Sequence, residues 1–253
     1  MSALETRDTM TVSGPDAATY LQGQLSQDVA GLAVGASAWS FLLEPTGKLG
    51  FVVRVRRRAA DEFVLDVEAG RGEAVEARLR RFLIRTKATL TGGSITVDVS
   101  PHAPSDGGLV GWWGEGAHAV SEPDTVAAST DDDAEALRVA AGWPGAGELA
   151  EGVIPAETGL VELAANFKKG CYTGQELVAR VDSRGNHAPH HLERVQLSAP
   201  AAVGTPLLVD GAEAGTLTSV SGLQALAYLR RSVEAPADAV VDGHPAQVVP
   251  QRV

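Results

Sequence analysis

The chain has 253 residues, of which 44% are hydrophobic and 21% charged, an ordinary composition for a globular protein. Its formal net charge of −11 argues against general nucleic-acid binding, because that function needs a basic surface that displaces counterions from phosphates. No apolar run approaches the roughly 18–20 residues that span a bilayer, and the first residues lack the pattern of a signal peptide. The single cysteine, Cys171, cannot form an internal disulfide, so we expect a reducing, cytoplasmic location without membrane association.

The charge is unevenly distributed along the chain. Residues 1–90 carry 12 basic and 11 acidic side chains, whereas residues 91–253 carry 9 basic and 21 acidic. Two groups of basic residues in the first part form either a local basic patch or the solvated faces of a strand and a helix. These groups are Arg54, Arg56, Arg57 and Arg58, followed by Arg78, Arg80, Arg81, Arg85 and Lys87.

The first 99 residues mix helix and strand patterns. Residues 14–30 begin with helix-start signals, and Tyr20, Leu21 and Leu25 share one face at helical spacing. A second amphipathic helix follows Gly70, with an apolar face formed by Val75, Leu79, Phe82 and Leu83. Strands are predicted at 37–43, 48–57, 62–67, 86–90 and 95–99. This mixture predicts an α+β, ferredoxin-like subdomain over residues 1–99.

The rest of the chain divides into a second and a third subdomain, over residues 100–189 and 190–253. Residues 100–130 are rich in Pro, Gly, Ser and Asp around one strand-like run at 109–113, and a helix is predicted from Asp131 to about Ala141. After residue 190 the pattern changes to short strands with tight turns at Asp210-Gly211 and Asp242-Gly243, which predicts a small β-barrel or sandwich.

Residues 166–180 contain the most distinctive chemistry of the chain. Thr173 and Glu176 have the spacing of a capping box, so a helix is predicted to begin after Thr173. Cys171 would then lie near the positive end of that helix with Lys168 and Lys169 close by, which favours a thiolate. The alternative is a buried cysteine that behaves as a small hydrophobic residue. Neither a Cys-His nucleophile nor a metal site is predicted, because the histidines at 187, 190 and 191 stand in a linker without a carboxylate or cysteine partner.

The segment Lys169-Gly170-Cys171-Tyr172-Thr173-Gly174-Gln175-Glu176, followed by Val178-Ala179-Arg180, resembles the signature of the YgfZ family. These proteins are folate-binding relatives of the glycine-cleavage aminomethyltransferase, GcvT. Companion segments occur in the expected order across nearly the whole chain: 21–29, 42–48, 138–144, 154–157, 184–185 and 215–219.

This resemblance implies a fold in which GcvT-type subdomains surround a central folate site, with a small C-terminal β-barrel. It implies tetrahydrofolate or a derivative as cofactor, with Asp28, Arg138 and Tyr172 as its contacts. It also implies a role in the assembly or repair of iron–sulfur clusters in client proteins, including a tRNA-thiomethylating enzyme. Cys171 would be the functional thiol, positioned by the other motif residues: Lys169, Gly170, Tyr172, Gly174, Gln175, Glu176 and Arg180.

Three departures from the family pattern leave other functions open. The positions that match the acidic pair of the transferase hold Phe51 and Val52, which cannot carry a proton and so count against aminomethyl transfer. Ala140 stands where relatives often have a pterin-recognising glutamate, and the chain is short between about residues 90 and 135. A folate-dependent aminomethyltransferase and a partner-docking protein that no longer binds folate are therefore the alternatives.

Overall fold

A computed structural model describes residues 3–99, 120–121, 131–150, 152–183 and 188–251. The strand-like run at 109–113 and the segment 184–185 lie outside these residues. None of the helices in the described ranges is long and apolar enough to cross a membrane.

The first half of the chain builds an antiparallel sheet of six strands in the order β2-β3-β4-β1-β5-β6. The strands predicted at 37–43, 48–57 and 62–67 are confirmed, with small shifts at their ends. The bounds are β1 Ala3–Ser13, β2 Ser37–Leu43, β3 Leu49–Ala59, β4 Glu62–Glu68, β5 Thr89–Val99 and β6 Val120–Ser121.

Two features of this sheet differ from the sequence prediction. Strand β1 was not predicted, although it lies between β4 and β5 and pairs with both. Its sequence lacks a continuous alternation of apolar residues, because Arg7 occupies one of the buried positions. Arg7 is stabilised there by an ion pair with the fully buried Asp66, 2.7 Å away. The two short strands predicted at 86–90 and 95–99 are one strand, β5, since Gly92 and Gly93 keep their register opposite β1.

Helices α1 (Ala17–Gln24) and α2 (Gly72–Arg80) pack against one face of the sheet. Helix α1 is shorter than residues 14–30, because the chain becomes extended at Leu25, which forms a bridge with Leu42. Helix α2 ends at Arg80, so Phe82 is not part of the buried apolar face predicted for it and is 39% exposed.

The other face of the sheet packs against the segment that carries the cysteine motif. This segment contains α3 (Asp131–Ala141), a 3-10 helix (Pro155–Glu157), α4 (Val161–Ala164) and α5 (Gln175–Ser183). One hydrophobic cluster joins Trp39 and Phe41 of β2 to Trp143, Leu160 and Tyr172. The division of the chain at residues 99 and 189 stays a prediction.

The C-terminal strands close into a six-stranded barrel in the order β10-β7-β12-β11-β8-β9, which confirms the predicted small barrel. The strands are β7 His190–Leu197, β8 Pro206–Val209, β9 Ala212–Ser221, β10 Gln224–Arg230, β11 Ala237–Val241 and β12 His244–Val249. Both predicted hairpin turns have positive φ at their two central residues, 52° and 77° at Asp210-Gly211 and 49° and 77° at Asp242-Gly243. This backbone geometry matches the right-handed twist of paired strands.

Candidate functional site

The loop between α4 and α5, residues 165–174, carries the cysteine and is held against the end of α1. The backbone N–H of Asn166 donates to the carbonyl of Ser26 at 3.0 Å, and the N–H of Thr173 donates to the carbonyl of Gly23 at 3.0 Å. The side-chain oxygen of Asn166 accepts hydrogen bonds from the N–H groups of Lys168 and Lys169, at 2.8 and 3.1 Å. The cysteine loop is therefore attached at both ends and by its own turn.

Lys169 fixes the middle of the cysteine loop. Its ammonium donates to the carbonyls of Gln22, Leu25 and Gln27 at 2.7, 2.6 and 2.9 Å. Two of these groups belong to the last turn and C-cap of α1, where the helix dipole favours a cation. The ammonium also lies 5.1 Å from the centre of the Tyr172 ring. Lys169 thus uses its hydrogen-bond donors to join the cysteine loop to α1.

Asp28 lies close to this lysine. Burial lowers the pKa of Lys169 to about 8, and the Asp28 carboxylate opposes that shift. The carboxylate itself accepts hydrogen bonds from the side-chain amide of Gln22 at 2.9 Å and from the N–H of Gly31 at 3.3 Å.

Cys171 is a free, exposed cysteine. The alternative of a buried, hydrophobic cysteine is therefore wrong. Its neighbour Lys168 is also exposed. The thiol stands at the surface of a loop whose flanking residues are held by backbone hydrogen bonds, so a large partner can reach it without unfolding the loop.

The predicted capping box is wrong in its register. Helix α5 begins at Gln175, and the side-chain oxygen of Gln175 accepts the N–H of Tyr172 at 3.1 Å. The Thr173 hydroxyl instead donates to the carbonyl of Gly23 at 3.4 Å. The shift occurs because Gly174, with φ of 80°, turns the chain between Thr173 and the helix.

Gly174 makes a close backbone contact with the turn between β2 and β3. A Cβ atom at Gly174 would lie 2.5 Å from the carbonyl oxygen of Glu44 and 2.9 Å from Cβ of Leu43. Gly47 in that turn also has positive φ, 84°, and a Cβ there would lie 2.4 Å from Cβ of Leu177. Only glycine combines this conformation with such close approach. Gly170 differs from both, since a Cβ there would meet nothing within 4 Å.

A pocket of about 320 Å³ lies at the beginning of α5, and its lining includes Tyr172, the residue that follows Cys171. The structure brings five predicted motif residues together in its wall: Tyr172, Gly174, Gln175, Glu176 and Arg180. The remaining wall is formed by Leu177 and by Pro45 and Thr46 of the turn between β2 and β3.

Arg138 lies in a different contact network, at the junction of α3 and the barrel. It donates to the carbonyl of Trp143 at 2.6 Å, to the carboxylate of Glu148 at 3.3 Å and to the hydroxyl of Ser219 at 2.6 Å. The same hydroxyl donates to Glu148 at 2.7 Å. Glu148 is fully buried and was not predicted as a site residue, because its acidic side chain stands in an unremarkable turn sequence.

Two indole rings pack between the sheet and the segment after α3. The rings of Trp39 and Trp143 have centroids 4.5 Å apart at 49°. A cavity of about 10 Å³ remains beside them, lined also by Phe51, Val52 and Glu68 among others. That volume is close to the minimum of about 10–15 Å³ for one water molecule.

The residues around this cavity include acidic and basic groups that the sequence did not indicate. Phe51 belongs to the hydrophobic cluster between the sheet and helices α1 and α2, and the Arg71 guanidinium lies 5.0 Å from its ring centre. Val52 belongs to the cluster on the other face of the sheet. Burial raises the pKa of Glu68, while the nearby charges of Arg7 and Arg71 oppose the shift. Pairing across the sheet brings these groups together, and no local motif marks them.

Comparisons with known proteins agree with this architecture. The family model described as CAF17, C-terminal beta-barrel domain, matches residues 191–252. An uncharacterized protein of Haemophilus influenzae is 27% identical over 242 residues, covering 87% of this chain and 83% of that protein. The tRNA-modifying protein YgfZ of Klebsiella pneumoniae is 28% identical over 213 residues, covering 69% of this chain and 65% of the relative.

Two further similarities come from more distant proteins. A mitochondrial iron–sulfur cluster assembly factor IBA57 homolog of Pyricularia oryzae is 28% identical over 211 residues, covering 73% of this chain and 54% of the relative. The crystal structure of the glycine cleavage system aminomethyltransferase T of Bartonella henselae superposes with a TM-score of 0.84 at 18% identity, covering 100% of this chain and 86% of that one. The chain is thus similar to YgfZ and IBA57 proteins, its barrel matches the CAF17 barrel model, and its fold is that of the aminomethyltransferase.

Proposed function

We propose that this chain supports the assembly or repair of iron–sulfur clusters in client enzymes, including enzymes that modify tRNA, and that the Cys171 thiol carries this role. The relatives named as tRNA-modifying proteins and as iron–sulfur cluster assembly factors support the role at the level of the family. The observation that favours Cys171 is its exposure on a loop held by Lys169, Asn166 and Gly174.

The geometry of the loop suits presentation of one thiol to a partner. Because the chain has a single cysteine, it cannot by itself provide the four thiolates of a typical cluster site. The thiol therefore acts on a cluster or cysteine that belongs to the client. Lys169 holds the loop to α1, and the contact between Gly174 and the turn at Gly47 positions its other end.

The cavity beside Val52 does not fit a reduced folate. It measures about 10 Å³ and is lined by the tilted ring pair of Trp39 and Trp143, whereas small-molecule sites usually measure roughly 300–1,000 Å³. The pocket of about 320 Å³ lined by Tyr172, one of the expected folate contacts, lies within that range. The proposed role of the thiol does not depend on folate, and a partner-docking protein that acts without folate remains the alternative.

Calorimetric titration with 5-formyltetrahydrofolate tests this point. We expect no change in tryptophan fluorescence at millimolar ligand, because the two indole rings would have to separate to admit a pterin between them. Heat of binding without that change would assign the ligand to the pocket lined by Tyr172. Measurable binding accompanied by a change in tryptophan fluorescence would show that the ring pair opens, and would restore the folate-binding form of the proposal.

The role of the thiol is tested by complementation. A strain without its own YgfZ is supplied with the wild-type chain, with Cys171→Ala or with Lys168→Ala, and thiomethylated tRNA nucleosides are measured. Cys171→Ala is expected to abolish the rescue at unchanged urea midpoint, since the side chain is exposed, while Lys168→Ala rescues normally. Full rescue by Cys171→Ala would show that the thiol is not required.

A further inference from the structure

The loop from α2 to β5, residues 80–87, has an unusual surface for so acidic a protein. Its sequence, Arg-Arg-Phe-Leu-Ile-Arg-Thr-Lys, contains four basic residues and no acidic one, in a chain with net charge −11. Ile84 is 78% exposed and Phe82 is 39% exposed. Arg80 forms an ion pair with Glu76, and Arg81, Arg85 and Lys87 are exposed. We call this region the α2–β5 loop.

Single exposed apolar side chains are common on protein surfaces. Here, however, two large apolar side chains two residues apart stand among three exposed cations. Patches of apolar residues with a polar rim mark interaction sites more often than isolated residues do. The combination fits a partner that offers both an apolar side chain and carboxylates.

The α2–β5 loop is held in a defined conformation. Its end is fixed by Asp16, whose carboxylate accepts the N–H of Lys87 at 2.7 Å and whose N–H donates to the Lys87 carbonyl at 3.3 Å. Arg85 has φ of 60°, the left-handed conformation that non-glycine residues seldom adopt. A loop on a rigid base loses little conformational entropy when it binds, which favours recognition.

A short chain of contacts connects this loop to the cysteine loop. The ring centre of Phe82 lies 4.6 Å from the guanidinium of Arg78. Arg78 donates to the carbonyl of Leu43 at 3.0 Å and to the side-chain oxygen of Gln24 at 3.2 Å. Leu43 lies against Gly174 of the cysteine loop. The two loops are thus attached to the same ends of α1 and β2.

We propose that the α2–β5 loop is a docking site for an acidic protein partner, whose apolar side chain contacts Phe82 and Ile84 while its carboxylates pair with Arg81 and Arg85. The identification of this partner as the iron–sulfur client rests on the proposed function. Docking of the client here would bring it close to the cysteine loop. A nucleic acid fits less well, because one face of the Phe82 ring is covered by Arg78 and the exposed apolar side chain, Ile84, offers no ring for a base to stack on.

Binding of a defined probe tests the docking site. A short fluorescein-labelled peptide of glutamate and leucine is titrated into the full chain, and its anisotropy is compared with that of an all-glutamate peptide and of a lysine–leucine peptide. We expect only the glutamate–leucine peptide to bind well, with an affinity that decreases as salt is raised. The affinity should fall about tenfold in Phe82→Ser/Ile84→Ser and about tenfold in Arg81→Glu/Arg85→Glu.

A matched control changes an exposed apolar and an exposed basic residue of the barrel, Val203→Ser/Arg230→Glu, and should bind as the wild type does. Equal binding by the loop variants and the control overturns the proposal, as does failure of the glutamate–leucine peptide to bind. Stronger binding of total tRNA that is lost in the loop variants assigns the loop to nucleic acid instead. A dimer in sedimentation that disappears in Phe82→Ser/Ile84→Ser assigns it to a second copy of the chain.

The outcomes separate this proposal from the proposed function. If Cys171→Ala rescues tRNA thiomethylation fully while the loop variants still lose the peptide, the thiol role fails and the docking site stands. If Cys171→Ala abolishes rescue while the loop variants bind and rescue like the wild type, the docking site fails and the thiol role stands.

Discussion

Replacement of Gly174 by alanine should destabilise the protein and disturb the cysteine loop, whereas the same change at Gly170 should not. At Gly174 the new methyl group meets the Glu44 carbonyl oxygen at 2.5 Å and Cβ of Leu43 at 2.9 Å, in a backbone conformation with φ of 80°. The left-handed conformation costs a non-glycine residue about 1–2 kcal/mol. Displacement of the packed turn costs roughly 1–3 kcal/mol more. The expected loss in free energy of unfolding is therefore about 2–5 kcal/mol.

Urea unfolding at constant pH measures this loss, with Gly170→Ala as the matched variant from the same motif. A Cβ at Gly170 meets nothing within 4 Å, so its effect should stay within about 0.5 kcal/mol of the wild type or be slightly stabilising. Amide hydrogen exchange at 170–177 should accelerate in Gly174→Ala alone. Equal urea midpoints for the two variants would refute the argument that the contact with the turn after β2 positions the cysteine loop.

Three further predictions concern the polar contacts around the site. Lys169→Met should lower the free energy of unfolding by about 1–3 kcal/mol, because three carbonyls lose their charged donor. The control Lys168→Met, at an exposed position, should change it by less than about 0.5 kcal/mol. Equal losses for the two variants in urea unfolding would contradict the assigned contacts. The native pKa of Lys169, about 8, lies below the value of about 10.4 in an unfolded chain, so between these values the unfolded chain holds a proton that the native chain releases. The free energy of unfolding of the wild type should therefore rise with pH in that window relative to Lys169→Met, and a falling difference would reverse the sign of the shift. Arg138→Met should cost about 3–5 kcal/mol, because it leaves the buried carboxylate of Glu148 without its cation. Near-wild-type thermal and urea unfolding would show that the Ser219 hydroxyl and the Gly145 N–H satisfy Glu148 without it.

Local patterns were sufficient for much of the fold. The barrel follows from short strands joined by Asp-Gly turns, because those turns need positive φ at both central residues and have it here. The hairpin of β2 and β3 follows from two strand-like runs on either side of the turn at Pro45 and Gly47. Local patterns failed where a buried position holds a charged residue. Strand β1 carries the buried Arg7, whose partner Asp66 is distant in sequence. A search for alternating apolar residues therefore does not detect this strand.

The sequence by itself predicted an α+β fold with a C-terminal barrel and a segment around Cys171 that resembles the YgfZ signature, because specific residue types in a fixed order are readable without coordinates. Only the tertiary structure decided how those residues act on one another. It exposes Cys171, directs Lys169 to three carbonyls at the end of α1, and places Gly174 against the turn after β2. It also packs Trp39 against Trp143. These outcomes depend on contacts between segments far apart in the chain, whose packing no local pattern specifies.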